Sequence, residues 1–259
     1  MMTMSSGREA VAPEDTAIGG RAGRFPSTRW SAIQGARSED PAERSRSFGT
    51  LVAAYWRPVY KHIRIRWGKG SEDAKDLTQE FFARALEKEF FDSYDPVKGR
   101  FRTFLRTCLD GFLANEDKAA RRLKRGAGVQ PLPLEFETAE GEMAVTEIPS
   151  PDDIERYFDA EWVRSLFRLA VEALREECEH RSKPVPFHLF SRYDLEGPDG
   201  ITYGDLAREF GIPETQVTNH LAFARREFRR LLLEKLREIT VSDEEYRREA
   251  RYLLGVEPD

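Results

Sequence analysis

The chain has 259 residues, of which 40% are hydrophobic and 11% aromatic, and its formal net charge is −5. This composition can supply a sizeable core, or two small ones, and argues against a wholly disordered chain. The sequence has no run of about eighteen apolar residues and no apolar N-terminal signal, so we expect neither a membrane span nor export. Cys108 and Cys178 are the only two cysteines, which favours a reducing cytoplasm over a disulfide scaffold. We expect no metal site and no cofactor.

The negative net charge hides two basic zones that flank an acidic stretch. Residues 126–155 contain no Lys or Arg, and a basic run ends just before them at Arg125. A second basic run begins at Arg225. A single charged run is most often a solvated helix face, but two runs beside recognisable motifs indicate contacts with nucleic acid.

The first half of the chain changes from aperiodic to helical near residue 25. Residues 1–24 are rich in Gly, Ser, Ala and acidic residues, so we expect them to be disordered. Residues 25–125 are predicted to form a helical unit, because apolar side chains recur at helical spacing over residues 41–67 and again further on. Pro58 lies inside this first run and predicts a kink or a break.

An acidic helix follows. Ser71 is predicted to cap it, and an apolar stripe runs along one of its faces. Asp76, Gln79 and Glu80 are spaced i, i+3 and i+4, so they share a face beside that stripe. Carboxylates early in a helix also complement its dipole, so the spacing alone does not require a partner.

A loop over residues 92–100 leads from the acidic helix to a second helix that is both aromatic and basic. The second helix presents Phe101, Arg102, Phe104 and Arg106. Aromatic rings with interleaved Arg suit unstacked bases and the backbone of a single strand. In the alternative interpretation both phenylalanines belong to the core, and we expect at least one of them there.

The remainder of the chain divides into three parts. Residues 126–151 are acidic and contain several prolines, which predicts a linker. Residues 152–239 are predicted to form a second helical domain, and residues 240–259 a helical extension that opens with Ser242 and Glu245 as a capping box. The sequence shows almost no strand pattern, so the predicted fold is all-α.

Residues 202–221 read TYGDLAREFGIPETQVTNHL, the pattern of a helix-turn-helix. Thr202 with Asp205 forms a variant capping box, and Gly211 falls where the turn needs a left-handed residue. Val217 and Leu221 then face the core. The residues left to face the major groove include Thr215, Gln216, Thr218, Asn219 and Arg225.

Three segments carry a family resemblance when they are taken in order. They read DAKDLTQEFFARALEK, FDSYDPVKGRFRTFLRTCLDGFLANE and YGDLAREFGIPETQVTNHLAFARREFRRLL. Together they resemble regions two and four of bacterial RNA polymerase sigma factors, in the compact extracytoplasmic-function (ECF) group. FPSTRW near the N-terminus and the C-terminal tail resemble a subgroup with this opening and a C-terminal extension. The resemblance covers nearly all of residues 25–254.

The resemblance implies a non-enzymatic sigma factor that directs core RNA polymerase to promoter DNA. The polymerase would be bound through the clamp helices of its largest subunit, contacted by Asp76, Gln79 and Glu80, and through its flap. The residues implied in promoter melting and single-strand binding are Tyr94, Lys98, Arg100, Phe101, Arg102, Phe104 and Arg106. Thr215, Gln216, Thr218, Asn219 and Arg225 would recognise duplex DNA. The acidic linker would run near the RNA path of the polymerase, where its side chains can mimic nucleic acid.

Three features depart from the family pattern. The recognition helix has Thr218, His220 and Ala222 at positions that are often basic in the family, so we expect fewer phosphate contacts there. Lys75 replaces one carboxylate before the docking face, which either weakens docking or marks a switch. Gly111 stands where many relatives carry Asn, so this chain lacks the side chain that would make a base contact there.

A different class of protein is the main alternative: a helix-turn-helix transcriptional regulator with an N-terminal sensing or protein-interaction domain. A helical scaffold that binds neither partner is a weaker one. Residues 71–110 distinguish a sigma factor from a conventional regulator, because the regulator has no need for an acidic helix followed by an aromatic and basic one. The sequence leaves open the promoter, the inducing signal, and whether an anti-sigma factor, a Ser/Thr kinase or the tail controls activity.

Overall fold

The computed structural model describes residues 31–87, 90–120, 132–144, 153–197 and 200–255. These residues form ten α-helices and no strand, which confirms the predicted all-α class. The helices are α1 (Ala32–Gly35), α2 (Pro41–Arg66), α3 (Ser71–Glu87), α4 (Phe101–Ala120), α5 (Phe136–Ala144), α6 (Ile154–His180), α7 (Val185–Phe190), α8 (Tyr203–Phe210), α9 (Glu214–Glu238) and α10 (Asp243–Leu254). No helix in this part of the chain is long and apolar enough to cross a membrane.

Helix α2 is the centre of the N-terminal half and contacts α1, α3, α5 and α6. It starts with Asp40 as its cap, whose side chain accepts a hydrogen bond from the Ala42 N–H at 3.0 Å, and with Pro41 in its first turn. The helix continues through Pro58, so the break that was one of the two predicted outcomes does not occur. Gly35 lets α1 approach α2 closely, because a Cβ atom at that position would lie 2.1 Å from Oγ of Ser47.

Helix α3 packs its apolar stripe on α2. Of the four residues that the periodicity places in this stripe, Ala74, Phe81 and Ala85 are buried and Leu77 is half-buried. Thr78 is buried in the same stripe, and its hydroxyl donates to the Ala74 carbonyl at 2.7 Å. Ser71 is the first helical residue and not the predicted cap. Its hydroxyl instead lies 3.1 Å from the Tyr60 hydroxyl, so this serine ties α3 to α2.

Helix α6 joins the two halves of the molecule, because its side chains pack on α2 and also on α7 and α9. One cluster of buried side chains runs without interruption from α1 through α2, α4 and α6 to α9 and α10. Phe158, Trp162 and Leu166 are the buried side chains of α6 in the middle of this cluster.

The predicted linker contains a helix where the structure describes it. Phe136, at the start of α5, packs its ring 5.4 Å from the ring of Trp56 and 5.0 Å from that of Tyr60. Residues 126–131 and 145–151 of the predicted linker lie outside the described residues. The part that is described therefore packs against α2.

The predicted helix-turn-helix, formed by α8 and α9, has a small hydrophobic core together with α7, in which Leu189, Leu206, Val217 and Leu221 are buried. The predicted capping box of Thr202 and Asp205 is present at the start of α8. Gly211 adopts the predicted left-handed conformation, with φ of 65°. These local features confirm the sequence pattern and set the entry of α9.

Helix α10 follows α9 and lies on α9 and on the start of α4. Ser242 caps it as predicted and accepts from the Glu245 N–H at 3.1 Å. The capping box is incomplete, because the Glu245 carboxylate accepts from the Val241 N–H at 2.9 Å and does not bond back to Ser242. That carboxylate is directed toward α4.

Candidate nucleic-acid and protein interfaces

The predicted docking face on α3 is only partly free. Asp76 is exposed and has no partner among the residues that the structure describes. Glu80 is half-buried and forms an ion pair with Arg84 one turn further on. Gln79 accepts a hydrogen bond through Oε1 from the Leu132 N–H at 3.3 Å. The structure thus brings the three side chains to one helix and leaves Asp76 as the accessible charge.

Lys75 contacts acidic residues on both of its sides. Its Nζ atom lies 2.9 Å from Oε1 of Glu72 and 3.5 Å from Oε1 of Glu137 on α5. The hydrogen bond to Glu72 raises the pKa of Lys75. Lys75 therefore forms an ion pair that links α3 to α5 beside the predicted docking face.

Helix α5 neutralises a basic row on α2. Glu142 lies 2.9 Å from Nη1 of Arg57 and 2.7 Å from Nζ of Lys61, and Glu140 lies 2.6 Å from Nε of Arg64. The hydrogen bond from Arg64 holds the pKa of Glu140 below its ordinary value. The acidic residues of the predicted linker that lie within the described range, from Glu135 to Glu142, therefore pair with cations of the protein itself. The basic side chains recur at i, i+4 and i+7 in the C-terminal half of α2, among apolar residues that are mostly buried, and this spacing is visible in the sequence.

The residues predicted to bind single-stranded DNA meet at the start of α4, but they differ in exposure. Tyr94, Phe101 and Arg102 are buried, with relative exposures of 5%, 2% and 2%. The half-buried members are Arg100, Phe104 and Arg106, whereas Lys98 is exposed. The ring of Phe101 packs 5.1 Å from Tyr94 and 5.4 Å from Tyr55. This confirms the expectation that at least one of the two phenylalanines belongs to the core.

Arg102 is enclosed by acidic and aromatic side chains from α6 and α10. It forms an ion pair with Glu249, and its Nε atom lies 2.9 Å from Oδ1 of Asp159. Its guanidinium carbon lies 4.5 Å from the ring centre of Trp162 and 4.6 Å from that of Tyr252. Burial raises the pKa of Glu249, although the neighbouring Arg102 acts in the opposite direction.

Glu245 holds the loop before α4. Its Oε1 atom accepts from the Tyr94 hydroxyl at 3.0 Å and from the Phe101 N–H at 3.3 Å. Burial, followed by the charge of Glu245, raises the pKa of Tyr94. Helix α10 thus binds both the tyrosine of the loop and the first backbone amide of α4.

Two further predicted cations also face carboxylates. Arg106 Nη2 lies 2.6 Å from Oε1 of Glu155 on α6, and Arg100 Nε lies 3.3 Å from Oε1 of Glu249. The acidic partners of this surface were not predicted; they are Glu155, Asp159, Glu245 and Glu249. They form two i, i+4 pairs, one on α6 and one on α10, and this spacing was the available signal.

Helix α9 presents its predicted DNA-facing side chains to solvent. Thr215, Gln216, Thr218 and Asn219 are all exposed, while Val217 between them is fully buried. This alternation follows from helical geometry, since Val217 packs into the small core of the helix-turn-helix.

Arg225, the last of the predicted duplex-binding residues, is exposed but engaged. Its Nη2 atom lies 2.9 Å from Oδ1 of Asp194, and its guanidinium carbon lies 5.5 Å from the ring centre of Tyr193. The hydrogen bond to Asp194 raises the pKa of Arg225. A DNA phosphate or base would therefore have to compete with Asp194 for this side chain.

Comparison with known proteins gives one family. Residues 51–124 match the family model described as sigma-70 region 2, and this segment runs from Leu51 on α2 through α3 and α4. The match therefore spans both the α3 face and the aromatic and basic surface at the start of α4. Members of the sigma-70 region 2 family are non-enzymatic transcription initiation factors, so the match supports a sigma factor of the sigma-70 family. No curated protein and no solved structure matches the chain significantly.

Proposed function

We propose that this chain, with its sigma-70 region 2 segment, is an ECF-type sigma factor that binds core RNA polymerase and directs it to specific promoters in the cytoplasm. The observation that carries the proposal is the order of two features in one chain. A segment matching sigma-70 region 2 precedes a helix-turn-helix whose recognition helix has an exposed polar face. A protein with both features can hold the polymerase and read duplex DNA.

Polymerase docking is proposed for the α3 face. Asp76 supports this because it is an exposed carboxylate within the matching segment, next to the buried stripe that fixes α3 on α2. Gln79 and Glu80 share the face and would extend the contact with the clamp helices of the largest subunit. The helix-turn-helix domain would contact the flap. Control by an anti-sigma factor or a Ser/Thr kinase stays a prediction of the resemblance.

Promoter DNA is proposed to bind at two separate places. The surface formed by residues 94–106 would hold the melted strand, because Arg side chains beside aromatic rings favour unpaired bases. The exposed side of α9 would read duplex DNA, since Gln216 and Asn219 can each bond adenine with two hydrogen bonds.

Capture of core RNA polymerase by the purified full-length chain tests the proposal. The wild-type chain should retain core enzyme, and Asp76→Arg should lose that retention because the docking partner would meet a reversed charge. Glu176→Arg is the matched control, since Glu176 is an exposed carboxylate on α6 away from α3. Both exposed substitutions should change the free energy of unfolding by only about 0.5 kcal/mol.

Two outcomes would count against the proposal. Equal retention of core enzyme by the wild type and Asp76→Arg would remove the docking assignment. A wild-type chain that ignores core enzyme but binds a palindromic duplex as a dimer would favour the helix-turn-helix regulator.

A further inference from the structure

Two buried carboxylates of α10 point into the surface that the proposed function assigns to single-stranded DNA. Glu245 and Glu249 are each only 3% exposed, although both lie on a helix at the molecular surface. They are one helical turn apart, so both reach the start of α4 from the same side. A carboxylate is buried at a cost unless it is paired, and these two find their partners on α4 and the loop before it.

The partners of these carboxylates are the groups that a DNA strand would use. Glu245 accepts from the Tyr94 hydroxyl and the Phe101 N–H, and Glu249 pairs with Arg100 and Arg102. Carboxylate oxygens and phosphate oxygens are bound by the same donors, Arg above all. Helix α10 thus satisfies with its own oxygens the donors of the predicted strand-binding surface.

Aromatic rings complete the likeness to a bound strand. Tyr252 of α10 places its ring 4.6 Å from the guanidinium carbon of Arg102, on which an unstacked base could otherwise lie. Tyr252 is itself 47% exposed, so its ring covers the guanidinium from the solvent side.

We infer that α10 is an internal occupant of the strand-binding surface, which mimics nucleic acid in the free chain and must leave before melted promoter DNA can bind. This inference rests on the proposed function. It assigns the C-terminal extension a role that neither the family match nor the helix-turn-helix explains.

The closed arrangement can open because its buried charges are imperfectly satisfied. Nη2 of Arg102 is buried without a hydrogen-bond partner among the described residues. Buried ion pairs also lose much of their attraction to desolvation. A molecule in which α10 covers the surface cannot bind the strand. The apparent affinity for single-stranded DNA is therefore the affinity of the uncovered form multiplied by the fraction of molecules in which α10 has left.

Binding of a single-stranded oligonucleotide to full-length variants tests the inference. The probe is a fluorescein-labelled DNA of about twelve nucleotides, followed by anisotropy at fixed salt. Glu245→Gln with Glu249→Gln should weaken the contacts of α10 and raise the fraction of molecules in which the surface is open. Because the apparent affinity rises by the same factor as this fraction, binding should tighten by on the order of tenfold or more. Tyr252→Ala should give a smaller change in the same direction, since it removes the aromatic cover and no charge.

The matched control also removes two negative charges from α10, but from exposed side chains. Asp243→Asn with Glu244→Gln acts on exposed carboxylates in the first turn, away from Arg102. An equal gain in this control would show that net charge alone is responsible and would overturn the inference. Unchanged binding in the buried-pair variant would do the same. If that variant does not fold, as judged by circular dichroism, the result with Tyr252→Ala decides.

The outcome is separable from that of the proposed function. Masking, by which we mean that α10 covers the strand-binding surface in the free chain, is judged from DNA binding alone. The sigma-factor assignment is judged from retention of core polymerase by the wild type. Tighter binding of the variants by a chain that ignores polymerase would support masking and refute the sigma factor. The reverse pattern would refute masking only.

Discussion

Nζ of Lys61 on α2 lies 2.7 Å from Oε2 of Glu161 on α6, and both side chains are almost fully buried. The pair joins the segment that matches sigma-70 region 2 to α6, which follows that segment in the chain. Glu142 of α5 lies 2.7 Å from the same Nζ atom, so three helices meet at one lysine. Because desolvation cancels much of the attraction in a buried pair, its main effect is to fix how α2 and α6 align.

Replacing Lys61 by Met should therefore destabilise the chain strongly. The change removes one of the two cations that pair with the buried Glu161, the other being Arg164. Because Arg164 remains, we expect the free energy of unfolding to fall by about 3 kcal/mol, the lower end of the range for a broken buried pair. Urea denaturation measures this directly. Removing an exposed pair, as in Arg175→Ala, should cost only about 0.5 kcal/mol. Adding Glu161→Leu to Lys61→Met should recover much of the loss, and no recovery would mean that the buried charge is not the cause.

The free chain should bind promoter duplex weakly, in roughly the micromolar range or worse, and should lose that binding steeply as salt rises. The net charge of −5 repels DNA, and Asp194 occupies Arg225. Asp194→Asn should release Arg225 and tighten duplex binding by on the order of tenfold. Glu196→Gln, which removes a nearby exposed charge, is the control. Tight binding by the wild type that salt does not weaken would favour the conventional regulator.

Duplex recognition and strand opening should separate in transcription assays. Gln216→Ala with Asn219→Ala should reduce transcription from a duplex promoter by about tenfold or more, because each amide can supply a bidentate base contact. Lys98→Ala with Arg106→Ala should also reduce it, through weaker strand binding. A template already mismatched over the melted segment should rescue only the Lys98 and Arg106 variant. Equal rescue of both variants would contradict the assignment of duplex recognition and strand opening to separate surfaces. Arg102 is a poor choice here, because it is buried against Glu249.

Packing of α5 should weaken in acid. The folded pKa of Glu140 lies below its ordinary value of 4.5, so the folded chain holds this proton less tightly than the unfolded chain does. The stabilisation is therefore present above pH 4.5 and is lost as the pH falls through the lowered folded pKa. At pH 7, Glu140→Gln should lower the free energy of unfolding by about 1 kcal/mol, since the pair with Arg64 is partly exposed.

That difference between Glu140→Gln and the wild type should close on acidification when thermal unfolding is followed from pH 7 downward. Glu176→Gln on α6 is the control and should match the wild type throughout, because no ion pair of Glu176 is described. A difference that persists unchanged in acid would mean that the ion pair with Arg64 does not hold α5.

The sequence by itself determined the features that depend on near neighbours. The capping box of Thr202 and Asp205, the left-handed Gly211 and the buried Val217 were all predicted and are present. Each depends on hydrogen bonds or side-chain spacing within a few residues, and such preferences are local to the chain. The same reason explains the buried stripe of α3. It also explains one failure, because Ser71 had the residue type of a cap but lies inside the helix, bonded to Tyr60.

Only the tertiary structure decided which surfaces are covered, and by what. The periodicity of α4 shows which face is apolar, but it does not say that Arg102 meets Glu249, which is 147 residues away. Nor does the acidic composition of the predicted linker reveal that Glu140 and Glu142 pair with α2. A charged side chain can be satisfied by water or by many partners, so the sequence around it does not determine which partner it binds. The choice is made when packing of α6 and α10 on the rest of the chain brings particular carboxylates within reach.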